Sequence, residues 1–205
     1  MSEKDYLQDI TEIKNIMNKS SRFLSLSGLS GILAGIYALV GAYFARVLLL
    51  TANYDQYSYT LSETNIEYKI IGIALAVALL SIITGYILTR NKAKKQNVKI
   101  WDTTTKRLLF NFLVPLATGG IFGLIILSQG IFLYIAPVTL IFYGLALFSA
   151  SKYTIGNVKY LGIAEIILGL FALYFIGYGF YFWVIGFGVF HIIYGAIMYF
   201  TLERE

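Results

Sequence analysis

Six long apolar segments divide the sequence, and they constrain its fold more than any other feature. They cover approximately residues 23–50, 70–88, 108–127, 131–149, 160–176 and 180–201. A helix needs roughly 20 apolar residues to cross a hydrocarbon layer of about 30 Å, because each residue adds about 1.5 Å. The sequence therefore predicts an all-α integral membrane protein whose residues 23–202 form one domain of six transmembrane helices.

The overall composition favours the same class of protein. Hydrophobic residues make up 58% of the chain and charged residues 13%, a balance outside the range of soluble proteins. The apolar segments leave no stretch long enough for a separate soluble domain. Because the chain has no cysteine, disulfides, thiol redox chemistry and cysteine-ligated zinc are excluded.

Short breaks and repeated marks organise the six segments into pairs. Only residues 128–130 separate the third segment from the fourth, and only residues 177–179 separate the fifth from the sixth. Such breaks predict tight helical hairpins. Glycine-led apolar motifs begin at residues 35, 123 and 169, in the odd segments, and the even segments carry Thr-Gly at 84–85 and Tyr-Gly at 143–144 and 194–195. We expect three successive hairpins inserted in the same direction.

The distribution of lysine and arginine predicts the orientation. Nearly all of these residues fall in the N-terminal segment, the second and fourth loops and the C-terminal tail, whereas the opposite side has only Arg46 and Lys69, at helix ends. Loops rich in lysine and arginine stay in the cytoplasm. We therefore expect a multi-pass protein of the inner (plasma) membrane with both termini cytoplasmic.

The segment before the first span, residues 1–22, has helical periodicity. Tyr6, Ile10, Ile13 and Met17 share one face, and the charged residues lie on others. This pattern predicts a short amphipathic cytoplasmic helix. Three uses stay open: packing on the protein itself, lying on the inner membrane surface, or holding a partner protein.

Small residues at regular spacing predict close helix packing. Ser27, Gly31 and Gly35 follow one another at intervals of four residues in the first segment, and Gly169 and Gly195 occupy similar places in the fifth and sixth. Small residues at this spacing let helix backbones approach closely in a membrane. The contact can lie within one bundle or between two copies of the chain.

Glu165 and His191 are the two chemically prominent residues within the apolar segments. Ionisable groups at membrane depth normally face a bundle interior or a watery cavity. Counted from the turn near Gly179, the two residues lie at levels that differ by about 3 Å. We expect them to meet across the last hairpin as an intramembrane polar pair. The pair either relays protons, binds a cation or senses pH, or it only locks helix packing through hydrogen bonds to Tyr143, Tyr194 or Asn111.

The hairpin marks resemble those of a known type of protein. Gly-Leu-Phe-Ala-Leu at 169–173 and the two Tyr-Gly pairs are similar to small six-helix bacterial membrane proteins, loosely the HdeD-like acid-resistance type. The resemblance covers about residues 113–200 and implies a role in acid stress by analogy alone. It carries no site residues, and the tyrosine-rich first outer loop and the N-terminal helix depart from it.

Two classes of function remain. The sequence favours a non-enzymatic membrane component with a structural, partner-binding or stress-response role, because most of its features reduce to packing and topology. The alternative is a small transporter or channel in which Glu165 and His191 handle protons or cations. We expect the lipid bilayer as partner, together with a second copy or a membrane protein, and no nucleic acid, since the net charge of +5 reflects loop asymmetry.

An intramembrane enzyme is disfavoured. One histidine and one intramembrane carboxylate are too few ligands for a catalytic metal. The sequence predicts no catalytic residue, no cofactor and no metal site.

Overall fold

The computed structural model describes residues 27–51, 66–95, 100–154 and 158–202. Within these ranges the chain forms helices joined by short turns and contains no strand. This confirms the all-α part of the predicted fold class. The predicted amphipathic helix over residues 1–22 lies outside the described residues, as does most of the tyrosine-rich loop between the first two apolar segments.

Six helical stretches follow one another along the described chain. Helix α1 spans Gly28–Thr51, α2 Ile66–Lys95, α3 Thr103–Ser128, α4 Ile135–Ala150 and α5 Val158–Tyr174. The last stretch, α6, covers residues 179–202 in three parts: an α-helical turn at Gly179–Trp183, a π-helical segment at Val184–Phe190 and an α-helix at His191–Leu202. Single 3-10 turns flank α4 and precede α6.

Five of these stretches are long and apolar enough to cross a membrane. They are Gly28–Leu50, Tyr68–Lys95, Thr103–Ser128, Phe132–Tyr153 and Ile176–Thr201. The remaining helix, α5, has 17 residues and is therefore about 26 Å long, slightly less than a typical hydrocarbon layer.

Helix α2 is longer at both ends than the apolar segment over 70–88 indicates. Its last turn carries Lys92, Lys94 and Lys95. Lysine is a good helix former, and a cation near a helix C-terminus interacts favourably with the helix dipole. The basic residues therefore continue the helix beyond its apolar part instead of ending it.

Local sequence signals fix the ends of α3. At its start the carboxylate of Asp102 accepts a hydrogen bond from the backbone N–H of Thr105 at 2.6 Å, which satisfies one of the free donors of the first turn. At its end Gly130 has φ +75°, a left-handed conformation that favours glycine. These features produce the tight turn between α3 and α4.

The helices pack in a definite order. Helix α1 packs along both α2 and α6, whereas α4 packs along both α3 and α5, and α6 also contacts α4 and α5. Helices α2 and α3 thus lie at opposite edges, where their principal neighbours are α1 and α4. The buried centre is formed by α4, α5 and α6, and it contains Leu140, Glu165 and Pro137, the largest fully buried side chains among the described residues.

Candidate functional site

The predicted pair of Glu165 and His191 lies in this buried centre. Glu165 projects from the middle of α5 and is 0% exposed, and His191, the first residue of the last part of α6, is also buried. The Nδ1 atom of His191 lies 3.5 Å from the Oε1 atom of Glu165. The structure therefore brings together two residues that are 26 positions apart in the sequence.

Hydrogen bonds on both ring nitrogens orient His191. Nδ1 lies 3.0 Å from the backbone oxygen of Gly186, and Nε2 lies 2.8 Å from the hydroxyl of Tyr143 on α4. A carbonyl oxygen can only accept a hydrogen bond, so Nδ1 carries a proton and donates it. In the neutral ring Nε2 then accepts the hydroxyl proton of Tyr143. The imidazole is thus fixed between α4 and the π-helical segment of its own helix.

The carboxyl group of Glu165, by contrast, has no hydrogen bond. Both Oε1 and Oε2 are buried, and neither has a hydrogen-bond partner among the described residues. A buried polar atom without a partner costs about 1–3 kcal/mol, and a charged one costs more. Such a group in a folded protein needs an explanation, for example a functional role or a bound water or ion.

Gly186 allows the carboxyl group to sit against α6. A Cβ atom added at Gly186 would collide with Oε2 of Glu165 and would lie 2.6 Å from Cδ2 of Leu140. Only a residue without a side chain leaves room for the carboxyl group here. Gly186 therefore serves the site twice, since its carbonyl holds His191 and its missing side chain admits Glu165.

The π-helical segment Val184–Phe190 supplies this arrangement. Its hydrogen bonds join residues five apart, and Gly186 and His191 are also five apart. The segment places the Gly186 carbonyl beside the histidine ring. Sequence patterns did not predict it, although Gly186-Phe187-Gly188 is a weak signal because glycine destabilises a regular α-helix. π-helical turns occur frequently at functional sites.

An aromatic stack covers one side of the site. Ring centroids of Trp183 and Phe187 lie 4.9 Å apart, and those of Phe187 and His191 lie 5.8 Å apart in a stacked arrangement. Tyr143 contacts both of the inner rings, at 5.0 Å from Phe187 and 5.4 Å from His191. The stack shields the imidazole and fixes the plane of its ring.

The other two expected helpers of the pair make different contacts. The hydroxyl of Tyr194 donates to Sδ of Met198 at 3.5 Å. Asn111 donates to the backbone oxygen of Arg107 and accepts a long hydrogen bond from Ser149. Of the three helpers proposed from the sequence, Tyr143 is the one whose hydroxyl bonds to the pair.

The small residues singled out in the sequence lie at contacts inside the bundle. A Cβ atom on Gly31 would lie 3.1 Å from Cα of Gly195, and one on Gly35 would lie 2.6 Å from the backbone oxygen of Gly188, so both face α6. Gly169 faces Ile141 on α4. Ser27 is buried at the start of α1, where its backbone oxygen accepts from Ser30.

No metal centre accompanies the pair in the described part of the chain. Within residues 27–51, 66–95, 100–154 and 158–202, no three histidine, aspartate or glutamate side chains come close enough to hold an ion. His191 lies between two other protonatable groups, since its Nδ1 faces the carboxyl group of Glu165 and its Nε2 bonds to the hydroxyl of Tyr143.

Comparison with known proteins adds no further constraint. The resemblance to HdeD-like proteins, which rests on short apolar motifs, stays a prediction. No protein-family model, no curated protein and no solved structure matches this chain.

Proposed function

We propose that the chain is a multi-pass integral membrane protein that handles protons at Glu165, His191 and Tyr143. The membrane part of this proposal rests on exposed apolar surface. Large side chains along the edge helices are mostly uncovered, for example Ile82 at 66% on α2 and Phe110 at 70% on α3. A protein in water rarely leaves such continuous apolar faces uncovered, whereas lipid tails cover them without penalty.

The proposed orientation has both termini in the cytoplasm and the protein in the inner membrane. The basic residues at the end of α2 and the start of α3 lie on the side from which α1 begins. Cysteines introduced into this cysteine-free chain test the orientation. A thiol at Ser58 or Gln129 is expected to react with an impermeant reagent from outside, and one at Asn97 or Lys152 only after the membrane is opened. The reverse pattern would contradict it.

One observation carries the proton-handling role: the carboxyl group of Glu165 is fully buried, has no hydrogen-bond partner in the described part of the chain and lies 3.5 Å from Nδ1 of His191. An intramembrane ionisable residue of this kind is most often functional. If one proton moves among Glu165, His191 and Tyr143, the carboxyl group of Glu165 is charged in some arrangements and neutral in others. Its cost of burial without a hydrogen bond therefore differs between these arrangements. The site is therefore suited to two states that differ in the position of a proton.

A proton fits this site better than a metal ion. In neutral His191 the lone pair that could bind a metal ion is on Nε2, and that nitrogen already accepts a hydrogen bond from Tyr143. Glu165 is the single carboxylate of the cluster, and metal ions in proteins usually need three or more such ligands. We therefore propose proton coupling, in a small transporter or channel, as the function of the cluster.

A structural role is the second candidate, because the helices around Glu165 are tightly packed. Gly186 lies directly against the carboxyl group, and Glu165 lines neither the cavity among α1, α2, α4 and α6 nor the one between α1 and α2. In this role the chain is a non-enzymatic membrane component whose polar cluster fixes helix packing.

Proton flux in proteoliposomes separates the two candidates. We expect the wild-type protein to dissipate an imposed pH gradient faster than empty liposomes, and Glu165→Gln to abolish the difference. Asp102→Asn is the matched control, since it removes a carboxylate at the start of α3, away from the buried centre. Wild-type flux no faster than that of empty liposomes, with folded protein present, would favour the structural role.

A further inference from the structure

A cavity of about 240 Å³ lies among α1, α2, α4 and α6, apart from the Glu165 site. It extends over residues 41–49 of α1 and 66–74 of α2. Each range covers eight residue-to-residue steps, which rise about 12 Å, so the cavity covers much of the outer half of the bundle. Helices α4 and α6 line the cavity only with residues near their N-terminal ends.

The cavity is mostly apolar. Its walls are formed by alanine, isoleucine, leucine and aromatic side chains, with few polar atoms. A volume of this size equals that of about eight water molecules, but apolar cavities stay dry and bind apolar ligands instead. Since the cavity is partly open and lies in the apolar part of the bundle, hydrocarbon is the natural content.

Among the described residues that line the cavity, Arg46 is the one that carries a charge. It is exposed, lies five residues before the end of α1 and makes no ion pair with the residues that the structure describes. Arginine binds a carboxylate through two parallel hydrogen bonds. An apolar cavity with a lone guanidinium near its outer end therefore has the chemistry to bind an anionic amphiphile.

We propose that this cavity binds a single-chain carboxylate amphiphile, a fatty acid, with its chain among α1, α2, α4 and α6 and its carboxylate on Arg46. The cavity measures about 240 Å³, which is less than the roughly 300–1,000 Å³ of pockets for drug-sized ligands. This small volume favours one chain over the two chains of a phospholipid. The single positive charge matches the single carboxylate. The inference is independent of proton handling and stands on the cavity alone.

Trp183 provides a direct measure of occupancy, because it lines the cavity toward the bundle centre. The chain has two tryptophans, and the other, Trp101, is 62% exposed just before α3, outside the cavity lining. A Trp101→Phe variant leaves Trp183 as the sole tryptophan. A bromine-labelled fatty acid quenches tryptophan fluorescence only on contact, so quenching in this variant reports an occupied cavity.

The experiment titrates dodecanoate brominated near its chain end into Trp101→Phe protein in nanodiscs of zwitterionic phosphatidylcholine. We expect saturable quenching of Trp183. Arg46→Gln in the same background should weaken the apparent affinity about tenfold, as expected for the loss of a charge-assisted hydrogen bond. Brominated dodecanol has the same chain length but no carboxylate. It should bind the protein that retains Arg46 about tenfold more weakly than dodecanoate does. Ala74→Leu, which fills the cavity from α2, should abolish saturable quenching.

Lys69→Gln is the matched control. Lys69 is a cation near the start of α2, on the same side as Arg46, but it does not line the cavity. Its removal should leave the titration unchanged. An equal loss of dodecanoate affinity in Arg46→Gln and Lys69→Gln would show that Arg46 acts only through the charge of the surface. That result would overturn the proposal.

Three further outcomes would also overturn it. Linear, non-saturating quenching would show partition into the bilayer alone, and unchanged quenching in Ala74→Leu would show binding elsewhere. Loss of dodecanoate quenching when phosphatidylglycerol replaces part of the disc lipid would identify a phospholipid as the occupant. Circular dichroism of each variant verifies that it is folded before its titration is interpreted.

Discussion

Helices α2 and α5 differ sharply in what they bury. The span on α2 is the most apolar of the five membrane-length stretches, yet its apolar stretch of 18 residues has no residue buried inside the protein. The shorter α5 contains a glutamate at its middle and buries that side chain completely. The most apolar of the five spans is thus also the least buried of them, which reverses the rule for proteins in water.

For a protein that lies in a membrane, as proposed above, the difference follows from the solvent. Lipid tails are as apolar as leucine, so hydrophobicity does not drive one membrane helix against another. Close backbone approach and polar contacts decide burial instead. The glycines agree with this account: Gly72 and Gly85 on α2 have no atom within 4 Å of an added Cβ, whereas Gly162 and Gly169 on α5 lie against α4.

The largest expected effect comes from comparing a glycine at a helix contact with a glycine that has no neighbour. Gly195→Leu on α6 puts a side chain against the backbone of α1, where an added Cβ would lie 2.5 Å from the nitrogen of Ile32. We expect it to lower the free energy of unfolding by about 3 kcal/mol, the upper part of the range for overpacking. Reversible unfolding in mixed detergent micelles measures the change.

Gly72→Leu on α2 is the matched control, because nothing lies within 4 Å of its added Cβ. It should change the free energy of unfolding by no more than about 0.5 kcal/mol. Similar losses in both variants would mean that burial in this bundle does not follow the glycine contacts.

A smaller effect is expected from the polar pair in the buried centre. Glu165→Gln and His191→Gln should each lower the free energy of unfolding, and the double variant should lose clearly less than the sum. Adjacent groups typically show a coupling of about 0.5–3 kcal/mol in such a cycle. Glu165→Gln combined with Asp102→Asn provides a reference cycle that should be additive. Independent effects of Glu165 and His191 would separate the two residues energetically.

The smallest effect is expected at Tyr143. Tyr143→Phe keeps the aromatic contacts with Phe187 and His191 but removes the hydroxyl that bonds to Nε2. We expect a loss of about 1 kcal/mol in the free energy of unfolding, together with a changed ¹⁵N signal of the His191 ring. Tyr174→Phe serves as control, since Tyr174 is 81% exposed. An unchanged histidine signal in Tyr143→Phe would rule out the hydrogen bond.

The sequence predicts much of the helical architecture because apolar length is a local property. Helix α2 extends beyond the apolar segment over 70–88 at both ends, since the lysines that end the apolar run also continue the helix. The common depth of Glu165 and His191 followed from counting residues on either side of one turn. That count works because helices on both sides of a tight turn start at the same level.

The rest depends on contacts that a sequence does not display. The π-helical segment and the role of Gly186 depend on which backbone hydrogen bonds form when α5 presses a carboxyl group against α6. The cavity beside Arg46 depends on how four helices pack around it. Neither feature has a residue pattern of its own, because each is a property of several helices together.

The π-helical segment also sets the rotational phase of α6. A helix whose hydrogen bonds join residues five apart contains more residues per turn than the 3.6 of an α-helix. The side chains after Val184–Phe190 therefore point in different directions around the helix axis than they would in a continuous α-helix. Each residue absorbed in this way turns the later side chains by about 100° relative to an uninterrupted α-helix. The direction of His191 is therefore decided by the winding of the seven residues before it. The two halves of one helix can thus face different surroundings, Trp183 toward the cavity and His191 toward Tyr143 and Glu165.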